Sequence, residues 1–277
     1  MRFNLGVILE AVKAVTGMGA GAVRSAPGGS GLAVLNDVIA AAAGGPVAEE
    51  APVPVPAPAA APAPAHRLGG LSERYESGGR GPGTVSSGRR DPGGVSYGLY
   101  QLATKTGTVA TFVTSEGARW AWDFAGKEPG TPAFTAAWQA IARRDPDQFG
   151  AAQHAFIERT HYRPAVAGVK ARTGLDLDTR ADAVRDACWS CAVQHGGAVK
   201  ILSRAVIAAD AALRREAAHY DRELVEAIYA VRSDYVRGLA GKAGPGERQT
   251  MLDLASKRYP AELAEALALC DGKRALA

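Results

Sequence analysis

The residues best equipped for chemistry fall within one short stretch. Glu76 and Ser77 close a short run of helical character, Leu71–Tyr75. A glycine-rich stretch follows, SGGRGPGTVSSGRRDPGG, and then VSYGLYQL. Cutting a glycosidic bond requires a carboxylic acid to protonate the leaving oxygen. That acid works best in a partly apolar cleft that raises its pKa. Glu76, at a helix end facing a glycine-rich loop, is the candidate acid. Glycine lets backbone approach a sugar closely, and Ser77, Tyr97, Gly98, Tyr100 and Gln101 could stack on or hydrogen-bond the sugars. Asp91 is the candidate second carboxylate. It could activate a water, or it could be a turn residue, since Asp-Pro-Gly-Gly is strong turn chemistry; both readings stand. Glu73, three positions before Glu76, is the other possible acid.

Further along, Gln194 and His195 end a helical pattern before Gly196–Gly197. They could line a cleft, or His195 could simply cap a helix end against carbonyls and the dipole. His154 and His161 flank Glu158, but the string HAFIERTH lacks the HExxH spacing of a zinc site. Cys188 and Cys191 form a CxxC, yet they share an apolar stripe with Val184, Ala187 and Ala192, so they read as buried hydrophobes. No cofactor or metal motif emerges. Trp120, Trp122 and Trp138 read as core or cleft-wall aromatics.

The elements that must position these residues are mostly helical. Thr131–Pro132 and Asp145–Pro146 each put a capping residue before a proline at a first helical position, and Asp145 with Gln148 matches a capping box. Asp178 is expected to cap the cysteine helix. Further helices are expected over about 199–216, 221–238, 247–256 and 260–270, the last opened by Pro260. The one strand-like piece surrounds Gly98. The expected fold is therefore α+β and predominantly α-helical, with one small β element beside the helix that carries Glu76.

Three regions are expected. Residues 1–45 are a small helical module for anchoring or partner binding. Residues 46–66 are a Pro/Ala-rich linker, extended because proline recurs at nearly alternate positions. Residues 67–277 are one large domain. The 277-residue chain is 47% hydrophobic but only 6% aromatic, so its core should lean on Ala, Val and Leu, and its formal charge of +4 is too small a basic excess, with no Lys/Arg-rich run, to point to nucleic acid. No apolar run is long enough to span a membrane. The N-terminus carries no clear signal peptide, because Glu10 and Lys13 interrupt its apolar run.

The order Glu76-Ser77, glycine-rich loop, Gly98-Leu99-Tyr100-Gln101 resembles the ES and GLMQ-type pattern of the lysozyme superfamily, in goose-type lysozymes, lytic transglycosylases and phage endolysins. WSCAVQHGG resembles a helix of the same proteins, and the likeness extends over roughly residues 70–240. The sequence departs from the phage-type spacing at Val85, nine positions after Glu76. The resemblance implies a lysozyme-like domain and a glycoside hydrolase that cleaves peptidoglycan strands, with Glu76 as general acid. It leaves open a lytic transglycosylase using no second carboxylate, or a chitosanase-like enzyme. The competing reading is a phage tail or secretion-associated structural protein whose lysozyme-like domain only binds glycan. In either case the expected site of action is the bacterial cell wall. The protein would be made in the cytoplasm and delivered by phage or by secretion, with residues 1–45 contacting envelope or virion.

Overall fold

The computed structural model describes residues 66–71, 81–88 and 93–272. The expected N-terminal module and linker lie outside these residues.

Among the described residues the fold is α-dominant with one minimal sheet, as the sequence implies. β1 (Ser96–Tyr97) and β2 (Leu102–Ala103) pair antiparallel, Ser96 opposite Ala103 and Tyr97 opposite Leu102, and Val85 bridges to Tyr97. Gly98-Leu99-Tyr100-Gln101, expected as part of a strand, is instead the turn of this hairpin. Two of its residues take left-handed backbone, Gly98 at φ 79° and Gln101 at φ 53°. Only glycine fits at 98, since a Cβ there would lie 2.2 Å from Gln153 Oε1.

Helices follow: α1 (Thr108–Thr114), α2 (Ala121–Phe124), α3 (Pro132–Arg144), α4 (Pro146–Ile157), α5 (Arg163–Thr173), α6 (Asp182–Gln194), α7 (Ala198–Ala212), α8 (Tyr220–Ala240), α9 (Pro245–Asp253) and α10 (Tyr259–Cys270). α3 starts as its sequence implies, with the Thr131 hydroxyl accepting from Phe134 N. The other two expected caps are not used. Asp145 makes no cap bond; its carboxylate instead accepts from Trp120 Nε1 and Arg144 Nε. α6 begins after Ala181, and Asp178 accepts from the Tyr162 hydroxyl.

Pro260, expected to open a helix, instead lies in a continuous helical run, and so does Pro164. α4 runs into α5 through a π turn at Glu158–Tyr162, and α9 runs into α10 through one at Leu254–Arg258. Pro164 and Pro260 each sit two residues beyond such a turn. A helical proline lacks an N–H and crowds the carbonyl four residues back. Those positions are Thr160 and Ser256, whose hydroxyls bond the carbonyls of Phe156 and Leu252 at 2.6 and 2.7 Å. Such back-bonding bends a helix, and the wider π turn accommodates the proline without ending the helix.

α6 is the central element. Eleven of its thirteen residues are buried, Cys188 and Cys191 among them. A helix covered all round belongs inside a domain. The aromatic residues are few but gathered: Phe112, Phe134, Trp138 and Phe149 pack edge-on or tilted around one another beneath the hairpin. Trp120 and Trp138 are core residues, whereas Trp122 is 91% exposed. No helix among the described residues is long and apolar enough to cross a membrane.

Candidate functional site

A groove of about 400 Å³ opens where the hairpin turn, the start of the domain and α4 meet, lined among others by Arg67, Pro82, Leu99, Asp147 and His154. Each wall is fixed by a specific anchor. The entering segment hangs on Asp186 of α6. Its buried carboxylate accepts from Gly69 N at 2.8 Å and Leu71 N at 3.2 Å and bonds His66 Nε2 at 3.1 Å. Burial raises the Asp186 pKa, and these hydrogen bonds oppose the rise. Close packing is also required here, because a Cβ on Gly69 would stand 2.7 Å from the Trp189 indole.

The opposite wall is tied by Gln153, which is fully buried. Its Nε2 donates to Pro82 O at 3.1 Å and its Oε1 accepts from Leu99 N at 2.8 Å, while Trp138 Nε1 also donates to Pro82 O. One amide thus joins the glycine-rich loop to the hairpin turn. Gly98 N adds a bond to Thr84 O at 2.7 Å.

The third wall is His154. Its ring stacks on Trp189 with centroids 4.4 Å apart and planes 11° apart, and its Nδ1 bonds the Tyr100 hydroxyl at 2.8 Å. Burial, assisted by the Arg67 charge, lowers its pKa to about 4. The imidazole is therefore neutral at pH 7. Among the described residues the groove is lined by one cation, Arg67, one carboxylate, Asp147, and the neutral His154 ring, a mixed polar surface.

The expected site residues divide three ways. Glu76, Ser77 and Asp91, with Glu73, lie outside the described residues. Tyr97, Gly98, Tyr100 and Gln101 gather at the hairpin, but mainly as framework. Tyr97 is fully buried, with its hydroxyl bonded to Thr135 Oγ1 and accepting from Gly130 N. Tyr100 is buried against His154, and Gln101 Nε2 closes the turn onto Gly98 O. Gln194 and His195 do not reach the groove. They lie in a buried polar network, where Gln194 Oε1 accepts from Arg232 Nη2 and the Tyr259 hydroxyl, and His195 Nε2 bonds Tyr259. α6 is buried to its last turn, so its C-terminal residues face neighbouring helices instead of solvent. Burial drives the His195 pKa well down, with the Arg232 and Arg258 charges adding to it.

Sequence reasoning missed Arg67, Asp147, Gln153 and Asp186, and it considered His154 only as a metal ligand. No local signal marks them, because their partners are distant: Tyr100 is 54 positions from His154, and Asp186 is 117 from Gly69.

Residues 68–257 match the family described as the type VI secretion system spike protein VgrG3-like, C-terminal. The chain belongs to this family. The type VI secretion system spike protein VgrG3 of Vibrio cholerae serotype O1 is 41% identical over 139 residues, covering 50% of this chain and 13% of that protein. The chain therefore aligns with only a small part of its relative.

This membership corrects the expected assignment to the lysozyme superfamily. Both the matched family and the relative are described as a secretion spike protein, and neither name states a glycoside hydrolase. The endolysin, glycosidase and bacteriolytic assignments are withdrawn with it. The likeness rested on short strings. The longer-lived part of it, GLYQ, is a hairpin turn whose side chains serve the local packing. The secretion-associated alternative is the reading that the family match favours.

Proposed function

We propose that residues 68–257 form a domain carried by a type VI secretion spike, exported with it, and able to hold glycan strands of the cell wall in the groove beside His154. The single observation that carries this reading is the family match over residues 68–257. The polar lining of the groove supports the choice of ligand, since sugars offer hydroxyl and amide groups to it. Glu76, Ser77 and Asp91 serve as further hydrogen-bonding partners for the strand. Residues 1–45 contact other spike components, and the Pro/Ala-rich segment 46–66 spaces them from the domain.

Two measurements test this. In a secretion-competent host the chain should reach the medium, and inactivating the secretion apparatus should abolish its export. Equal release from both strains overturns the spike assignment. In co-sedimentation with purified peptidoglycan sacculi the wild type should pellet, and Glu76→Gln or Asp91→Asn should each weaken binding by about 3- to 10-fold, as expected for one lost polar contact. Undiminished pelleting of both variants removes these residues from the site. Soluble fragments released from the sacculi would overturn a role confined to binding.

A further inference from the structure

We propose that His154 is a ligand-contacting residue of the groove, donating a hydrogen bond from Nε2 to an uncharged oxygen of the bound sugar, such as an acetamido carbonyl or a hydroxyl. This rests on the glycan-binding reading of the groove and adds the residue and the chemistry that recognise the ligand.

Four observations converge on it. The His154 side chain lines the groove. Its ring lies almost parallel on Trp189, which is fully buried and cannot shift, so the plane of the imidazole is set. Tyr100, itself packed edge-on against Trp189, holds Nδ1 through its hydroxyl. The ring makes no other hydrogen bond among the described residues, which leaves Nε2 as its uncommitted polar atom. We take the Tyr100 hydroxyl as the donor to Nδ1, the tautomer that leaves the ring proton on Nε2. A neutral donor with a fixed plane has lost its rotational freedom before the ligand arrives, so little ordering cost remains on binding.

The arrangement also disfavours other roles. A buried histidine nitrogen without a partner is costly, as at Nδ1 of the enclosed His195. Here the uncommitted nitrogen belongs to a side chain that borders open space, where solvent or a ligand can satisfy it. An anion-binding histidine would be charged, whereas burial and the neighbouring Arg67 keep this one neutral at pH 7. The groups facing it are Arg67, Tyr100 and, about two helical turns before it, Asp147.

The test uses the full chain and chitotetraose, an oligomer of N-acetylglucosamine, followed by calorimetry and by nitrogen-15 NMR of the histidine side chains. Chitotetraose should bind the wild type and shift the His154 Nε2 resonance. His154→Ala should weaken binding about 10-fold, the equivalent of one hydrogen bond of about 1.4 kcal/mol. His154→Gln keeps an N–H donor near the Nε2 position and should recover part of that loss. A role confined to packing would not give this recovery, since glutamine cannot restore the stack on Trp189. Tyr100→Phe frees the tautomer and should cost less, about 3-fold. Thermal melts confirm that each variant is folded. Wild-type affinity in a folded His154→Ala variant overturns the inference while leaving the glycan reading intact. Absence of any wild-type binding overturns both.

Discussion

The half of the domain around the groove and the half around α8 and α10 solve the same packing problem in opposite ways. The groove half, residues 96–157, has only a two-stranded hairpin and short helices. A lone hairpin is marginal in water, so this half is consolidated by clustered aromatic rings and by Gln153, which bonds distant backbone, while Asp186 of α6 ties down the entering segment beside it. The other half has the long α8 and ties of its own, such as Asp221 to Ala181 N and Arg215 to Thr173 O, and in addition it buries charge. Arg232, Arg258 and Glu262 are all at most 2% exposed. Glu262 accepts from Arg258 Nε and Ser190 Oγ and lies 3.5 Å from Arg232 Nη1, while Arg232 sits 4.4 Å over the Tyr259 ring. Burial and hydrogen bonding push the Glu262 pKa in opposite directions. The two arginines prevail and hold it below the usual carboxylate range. The difference separates shape from stability. Changes in the first half should distort the groove locally, whereas changes in the second should loosen the whole fold.

The largest effect should come from breaking the second half. Glu262→Ala leaves two buried arginines without their carboxylate and should destabilise the domain by about 3–5 kcal/mol, read from urea denaturation. A loss under about 1 kcal/mol would show that the ion network is not what holds α6, α8 and α10 together. A smaller and more local effect is expected from Gln153→Ala, which strands Leu99 N and removes one of the two donors to Pro82 O. It should cost about 1–3 kcal/mol and speed amide hydrogen exchange at Leu99 well before it does so along α8. Uniform acceleration across both halves would erase the distinction drawn here.

The smallest effect is a pH dependence, and it tests the two histidines together. His154 has its folded pKa lowered from 6.5 to about 4 by burial, and burial holds that of His195 well below 6.5. Between those limits the unfolded chain binds more protons than the folded one, so stability should fall as pH drops below about 6.5 and be flat above it. The slope should be shallower in His154→Gln. An unchanged slope would assign it to His195 and to the carboxylates instead. NMR titration should find His154 changing charge near pH 4.

Much of the fold was legible because helix starts and apolar stripes are local. Thr131–Pro132 capped a helix as its sequence implies, and the cysteine stripe lay on a buried helix. The strand around Gly98 was misread because β-prone residues and turn glycines alternate there, and only the left-handed backbone at Gly98 and Gln101 settles the hairpin. Asp145 and Asp178 have capping identities, but tertiary donors, Trp120 and Tyr162, outcompete the helix ends for them. The groove was hardly legible. Arg67, Gln153, His154 and Asp186 act through partners far along the chain, and a buried glutamine or aspartate has no local pattern. Gln194 and His195 carried the opposite error: a polar pair before Gly-Gly looks accessible, yet it closes a helix that is covered on all sides.

The paired π turns carry a consequence for how this chain tolerates length changes. Each holds one more residue per turn than the helix around it, inserted where a hydroxyl residue stands four positions before a proline. Deleting one residue from Glu158–Tyr162 while replacing Pro164 would return that turn to ordinary α-helical winding, and α4 and α5 would keep their inward faces. The two sites are thus built-in slack, places where the gene can lose one codon, together with the proline, without shifting the phase of the core.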